Sequence, residues 1–137
     1  MISIVERVLF LKRIDLFSQI PGEFLAHVAR VASEEHFDTG DPLMREGEVG
    51  DSLYLIVEGT VRVHKGEREI VRLGERECVG EMAILDSEPR SASVTAVQDT
   101  LALRIEREDF YDILNEKPEI ARGVITVLTR RLRKAIT

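Results

Sequence analysis

Between residues 31 and 105 no apolar segment runs far before a turn residue stops it. Gly40, Gly47, Gly50, Gly59, Gly66, Gly74 and Gly80 recur through this stretch. Segments that short suit strands joined by tight turns, where glycine takes a positive φ without steric penalty. Candidate strands cover 35–37, 43–45, 52–58, 60–64, 69–73, 93–96 and 100–105, and Cys78-Val79 is β-like as well. Asp38-Thr39-Gly40-Asp41, Gly50-Asp51 and Glu58-Gly59 are turn signals between them. The pattern predicts an antiparallel sandwich or barrel of about eight strands.

On both sides of this stretch the period changes to that of a helix. Ser3-Ile4-Val5-Glu6 has the capping-box form, and Val5, Val8 and Leu9 follow at helical spacing. Pro21 and Glu23 suit a first helical turn, with Phe24, Leu25, Val28 and Val31 on its apolar face. After Arg107, Phe110, Ile113 and Leu114 form a short helix that stops before Pro118, and from there the chain reads as helical to Thr137. In that last helix Ala121, Ile125, Leu128, Leu132 and Ala135 make a seam spaced like a heptad repeat, expected to pack on its own domain. A homodimer through the helices stays open. The fold class expected is therefore α+β and mostly β. One domain fills residues 1–137, with N-terminal helices in 1–30, the strands in 31–106 and two helices in 107–137.

Composition narrows the function. The net charge of −6 argues against a domain-wide nucleic-acid footprint. No acidic residue follows Glu119, whereas Arg122, Arg130, Arg131, Arg133 and Lys134 are basic; a solvated face with cations near a helix C-terminus accounts for them. No apolar run is long enough for a membrane span. Glu6 and the lack of a small-residue cleavage site speak against a secretory signal. Cys78 is the single cysteine, so no internal disulfide is available, which fits the reducing cytoplasm; it reads as a small buried side chain. His27, His36 and His64 are scattered without metal-ligand spacing, and no nucleophile–base grouping stands out, so neither a metal cofactor nor an enzyme is expected.

The chemistry concentrates in Val79–Ala96, VGEMAILDSEPRSASVTA. Gly80 follows a β-like pair, and residues 81–85 are long enough for one helical turn. The first amides of such a turn lack intrahelical partners and attract anions. Pro89 ends the helix and directs the chain into Arg90 and then a strand. That unit brings Arg90 back near the helix start. It collects one guanidinium, amide donors, a serine hydroxyl and the carboxylate of Glu81. A guanidinium fork matches both free oxygens of a cyclic phosphodiester, and a carboxylate can accept a ribose hydroxyl proton. Taken singly, Glu81 is equally a helix-start carboxylate, Arg90 a partner of Asp86 or Glu88, and Asp51 a turn residue.

Gly80-Glu81-Met82-Ala83, five residues, then Pro89-Arg90-Ser91-Ala92 resembles the phosphate-binding cassette G-E-x-A-x5-P-R-x-A of the cyclic nucleotide-binding domain family. Six fixed positions at average residue usage match by chance about once in 10⁷ starts. GDPLMREGEVGDSLYLIVEGTVRV is similar to the family's paired strands, and the likeness extends through the helices at both ends. The resemblance implies an antiparallel β-barrel or jelly roll with a short cassette helix within 80–93. It implies cyclic AMP or cyclic GMP as ligand, and no other cofactor. Glu81 and the Gly80 backbone would hold the ribose 2′-hydroxyl. Arg90 would pair with the phosphate, helped by Ala83, Ala92 and Ser91, with Met82 in the same cassette. Asp51 matches the acidic residue that braces the cassette arginine. Val71, Leu73 and the last helix are candidates for an apolar roof over the base.

The sequence departs from the family at Val79, where many members carry phenylalanine, and it has no Trp to cap the base. The implied function is a cytoplasmic regulatory sensor, free or attached to a larger protein, soluble or membrane-bound, that passes ligand binding to an effector domain or partner by moving its C-terminal helices. Ser91 stands where relatives carry Thr with cyclic GMP or Ala with cyclic AMP, and cyclic AMP is favoured. The chain ends just after the long helix, so no helix-turn-helix and no DNA binding are expected. The alternative is a ligand-free interaction domain of the same fold, which would have less reason to keep both Glu81 and Arg90.

Overall fold

The computed structural model describes residues 1–137. Two compact units account for it: residues 33–107, which hold the strands, and residues 1–32 with 108–137, which hold the long helices.

In the sheet unit eight strands form two four-stranded antiparallel sheets. They are β1 (Ser33–Phe37), β2 (Pro42–Met44), β3 (Ser52–Glu58), β4 (Val61–Lys65), β5 (Arg68–Leu73), β6 (Cys78–Val79), β7 (Ser93–Ala96) and β8 (Thr100–Glu106). One sheet runs β1-β8-β3-β6 and the other β2-β7-β4-β5. Consecutive strands thus alternate between sheets in the first half of the chain and again in the second, which is the strand order of a jelly roll. Of the two architectures expected, the sandwich is the one formed; the strands do not close into a single hydrogen-bonded barrel. Inward side chains of both sheets meet in a core that includes Phe37, Met44, Tyr54, Ile56, Val61, Val79, Val94 and Ala102. Phe37 and Tyr54 pack edge to face with ring centroids 5.6 Å apart. Turn glycines meet their conformational demand: Gly40 and Gly47 have φ of +92° and +87°. β3, β6 and β7 keep the expected bounds, and the other strands differ by one or two residues, because ladder pairing and not hydropathy decides where a strand stops. Between β6 and β7 lies a six-residue helix, α3 (Glu81–Asp86).

In the helical unit, α1 (Ile4–Leu11) starts at the expected capping box: Ser3 accepts from the Glu6 amide at 3.1 Å and Glu6 from the Ser3 amide at 3.3 Å. A 3-10 turn (Asp15–Phe17) and α2 (Gly22–Val31) follow. Arg7 ties α1 to the end of α2, its Nη1 donating to the carbonyls of Ala29 and Ala32 at 3.0 and 2.5 Å. After the strands come α4 (Arg107–Glu116) and α5 (Pro118–Ile136). The α5 helix meets the 3-10 turn region: Arg131 pairs with Asp15 at 3.0 Å, and a Cβ added at Gly123 would lie 2.7 Å from Ile20 Cγ1 and 2.9 Å from the Gln19 carbonyl oxygen.

Two helix readings require correction. The seam expected to pack inward in α5 is largely exposed, with Ile125 at 61 % and Leu132 at 62 %. The buried stripe is the adjacent one, Ile120, Gly123, Val124 and Val127, because Gly123 permits the close approach to Gln19 and Ile20. In α1 likewise Val5 and Leu9 are exposed and Leu11 is buried. Replacing Gly123 with Val should cost about 1–3 kcal/mol, since overpacking at that contact outweighs the helix-propensity gain of roughly half a kcal/mol. A denaturant midpoint equal to that of the parent would show that the contact can relax.

Candidate functional site

The cassette is held by segments distant in sequence. Arg90 donates its backbone N–H to the Glu48 carbonyl at 2.8 Å, and its carbonyl accepts from the Gly47 amide at 2.9 Å. Val49 and Pro89 form an isolated antiparallel bridge beside these bonds. The cassette therefore adds two rungs to the loop that leads into β3. The helix α3 begins after Gly80, at φ +88°, and ends at Ser87, which is also left-handed at φ +61°. Asp86 closes the exit by accepting from the Glu88 amide at 3.0 Å.

These turns carry the Arg90 side chain inward. It is 5 % exposed. Its Nη1 donates to the Gly80 carbonyl at 3.0 Å and its Nη2 to the Ser52 carbonyl at 2.6 Å. Asp51 Oδ1 lies 4.0 Å from Nη2, beyond hydrogen-bond length, on a side chain that is 75 % exposed. Burial pushes the guanidinium pKa below its usual value; Asp51, Tyr54 and Glu48 pull it upward, and Arg107 adds to the lowering. The arginine's partners are thus two carbonyls and a distant carboxylate, in place of the Asp86 or Glu88 contact that sequence proximity allows.

A cavity of about 330 Å³ opens against this wall, a size that suits a small ligand. Gly80, Glu81, Met82, Ala83, Arg90, Ser91 and Ala92 all line it, so the two ends of the motif meet in one space. Val71 and Leu73 of β5 line it too, which places both expected roof residues on the cavity. Asp51 does not line it and reaches Arg90 from outside. Glu81 is half-buried, Met82 is 63 % exposed and Ala83 is buried.

The cavity also has walls that the sequence reading passed over. Met44, Val63, Cys78, Val79 and Val94 line it. Strand alternation signals two of them, since Val63 and Val94 lie on the inward side of paired strands and are register partners. Cys78 is half-buried on the cavity and not the fully buried side chain expected. Ser52 contributes through a backbone oxygen, for which side-chain identity holds no signal. No group of three or more His, Cys, Asp and Glu is arranged to hold a metal ion, and no helix is long and apolar enough to cross a membrane.

A jelly roll with a strand-linked cassette helix and an apolar cavity ending on a buried guanidinium defines a small-molecule-binding module. The chain belongs to the cyclic nucleotide-binding domain family, whose model matches residues 34–117, more than half of its length. It is 40 % identical over 104 residues to the cyclic AMP receptor protein of Thermus thermophilus, a match that covers 72 % of this chain and 48 % of that protein. It is 43 % identical over 74 residues to a cGMP-dependent protein kinase of Toxoplasma gondii, covering 54 % of this chain and 7 % of the kinase. Among solved structures it is similar to the N-terminal domain of a transcriptional regulator from Streptomyces coelicolor. That pair has a TM-score of 0.83 and 33 % identity, over 92 % of this chain and 94 % of the other. The chain spans about half the length of the first curated relatives it matches. The family is one of regulatory sensor domains.

Gly80→Ala should destabilise the protein by more than the roughly 1–2 kcal/mol expected for a side chain at positive φ. The reason is that its Cβ would sit 2.5 Å from Arg90 Nη1 and 3.1 Å from the Ser52 carbonyl oxygen. Gly40→Ala, at a similar φ with nothing within 4 Å, isolates the conformational part. Urea denaturation of the two variants compares them; equal losses would mean that Arg90 yields freely.

Proposed function

We propose that the cavity binds a cyclic nucleotide and that residues 1–137 act as one cytoplasmic sensor domain with no catalysis of its own. The observation that supports this reading best is the state of Arg90, a buried guanidinium on a cavity wall whose hydrogen bonds go to two neutral carbonyls. Carbonyls satisfy N–H groups but do not cancel a charge. The one carboxylate within ion-pair distance, that of Asp51, is 4.0 Å away and largely in water. A buried, poorly compensated cation favours an anion from solution. A phosphodiester supplies one negative charge and two free oxygens in the geometry of the fork.

In this reading Arg90 pairs with the phosphate, and the Ala83 and Ala92 amides and Ser91 add donors. Glu81 and the Gly80 backbone accept and position the ribose 2′-hydroxyl, with Met82 beside them. Phosphate and carboxylate repel, so the two charged residues serve opposite ends of one ligand. The base lies against Val71 and Leu73, whose apolar surface continues onto Val63 and Val94 in the same cavity. Cyclic AMP is favoured over cyclic GMP. Binding shifts the domain toward a closed state by the ligand's differential affinity, and the C-terminal helices α4 and α5 move with it, to be read by an effector domain or partner protein.

Isothermal titration of the chain with cyclic AMP and cyclic GMP tests the reading, and competition between them reads the base preference. Absence of heat up to millimolar ligand would favour the ligand-free interaction domain. Arg90→Ala should raise the Kd for cyclic AMP by roughly 30- to several-thousand-fold, the equivalent of about 2–5 kcal/mol for breaking one side of a buried charge pair. Arg90→Lys should also weaken binding because the planar fork is lost. Both are compared with parallel thermal melts, and undiminished affinity in Arg90→Ala would overturn the phosphate assignment. Glu81→Ala should weaken cyclic AMP much more than its 2′-deoxy analogue; equal losses would remove Glu81 from the ribose.

A further inference from the structure

Two guanidiniums approach the Asp51 carboxylate. Arg90 Nη2 lies 4.0 Å from Oδ1, and Arg104 Nη2 lies 3.7 Å from Oδ2. The Ser52 hydroxyl also donates to Oδ1 at 3.0 Å. Arg104 stands on β8, the strand between β1 and β3, and its Nη1 is 4.0 Å from Glu35 Oε2 on β1. Strand register explains the gathering. Arg104 is the cross-strand partner of Tyr54 on one side and of Ser33 on the other. Glu35 lies two positions along β1 from that partner, and Asp51 immediately precedes β3. Glu35, Arg104, Asp51 and Arg90 thus form a row of alternating sign across three strands and into the cassette.

Every separation in the row exceeds the roughly 2.8 Å of a charge-assisted hydrogen bond. Glu35 Oε2 and Arg104 Nε are buried without hydrogen-bond partners. The row is therefore loosely made, and a member can close on one neighbour when the other is removed. The backbone under Asp51 is better fixed: the Arg107 amide donates to the Asp51 carbonyl at 2.8 Å, and the Arg107 guanidinium donates to the Gly50 carbonyl. Motion is left to the carboxylate, which is mostly exposed.

We infer that Arg104 is a positioning residue of the anion site, setting ligand affinity by holding the Asp51 carboxylate back from Arg90. This rests on the phosphate role proposed above for Arg90. Asp51 and a phosphate compete for the Arg90 charge, and Arg104 competes with Arg90 for Asp51. Glu35 acts in the opposite sense by occupying Arg104. Charge removed from Arg104 frees Asp51 to close on Arg90; charge removed from Glu35 frees Arg104 to draw Asp51 away. Two substitutions in one ion pair then have opposite effects on affinity.

The test is isothermal titration of cyclic AMP into the 137-residue chain and four variants: Arg104→Gln, Glu35→Gln, Asp51→Asn, and Arg104→Gln combined with Asp51→Asn. Because the Asp51 pairs are solvent-screened, Arg104→Gln should raise Kd only about two- to fivefold. Glu35→Gln should lower Kd by up to about twofold, and in the Asp51→Asn background Arg104→Gln should change nothing. The Arg104→Gln effect should shrink when salt is raised to about 0.5 M, and Arg104→Lys should restore most of the affinity. An Arg104→Gln protein that binds as tightly as the parent overturns the inference. So does an undiminished Arg104→Gln effect without the Asp51 charge, or a Glu35→Gln variant weakened like Arg104→Gln, which marks a mere loss of stability. A parent that does not bind cyclic AMP defeats the cyclic-nucleotide reading itself; a parent that binds beside indifferent variants defeats only the role of Arg104.

Discussion

Arg90 is a cation almost wholly removed from water, and three separate segments converge on it. The Ser52 carbonyl opens β3, the Gly80 carbonyl opens the cassette, and the backbone of residues 47 and 48 clasps the arginine's own peptide group. Removing an ionised group from water costs several kcal/mol unless its donors are met. The two carbonyls meet the donors, and in doing so they fix where β3, α3 and the cassette loop lie relative to one another. Gly80 has no alternative at that point, because any side chain would occupy the space of the guanidinium. Gly50 is constrained from the other side, where a Cβ would stand 2.5 Å from that of Ala83. The family motif thus reads physically as a packing problem around one buried charge, with small residues wherever the backbone must come close.

The parts of the site are spread over both sheets. The cassette follows β6 of one sheet and leads into β7 of the other, while the apolar walls come from β2, β4, β5, β6 and β7. A jelly roll suits this division. Its inward alternation supplies Val63, Val71 and Val94 from strands, and irregular backbone supplies polar groups at one end. Charge and apolar surface are kept apart within a single cavity, a separation that a ligand with a polar sugar phosphate and a flat base can use.

Much of this was legible in the residues, and the failures have identifiable causes. Glycines at positive φ, such as Gly40 and Gly47, bounded the strands well because only glycine meets that demand cheaply. The capping box at Ser3 and Glu6 located the start of α1 because it depends on local hydrogen bonds alone. The cassette was legible as a motif, and the meeting of residues 80–83 with 90–92 on one cavity followed from its strand–helix–strand form. Helix periodicity failed in α5, where two apolar stripes lie side by side. Period alone cannot choose between Ile125–Leu132 and Ile120–Val127; the deciding contact is Gly123 against a backbone distant in sequence. The carbonyls that hold Arg90 were invisible for a similar reason, since any residue type carries one. Cys78 was misread because it stands on β6, a two-residue strand at the edge of its sheet, where its side chain is only partly covered.

The place of β8 in the sheet has a consequence for how the domain comes into being. It lies between β1 and β3, pairing Ser33 with Arg104 and Ser52 with Glu106. Until residues 100–106 are available, the strands on either side of it have no partner in common, and their edges stay open. Contacts that span so much sequence carry a high loop-closure cost and slow folding. During synthesis, the sheet that carries the Ser52 carbonyl cannot complete until β8, residues 100–106, has left the ribosome, although the cassette itself precedes that strand. A growing chain therefore holds the full motif before it holds the architecture that gives it meaning.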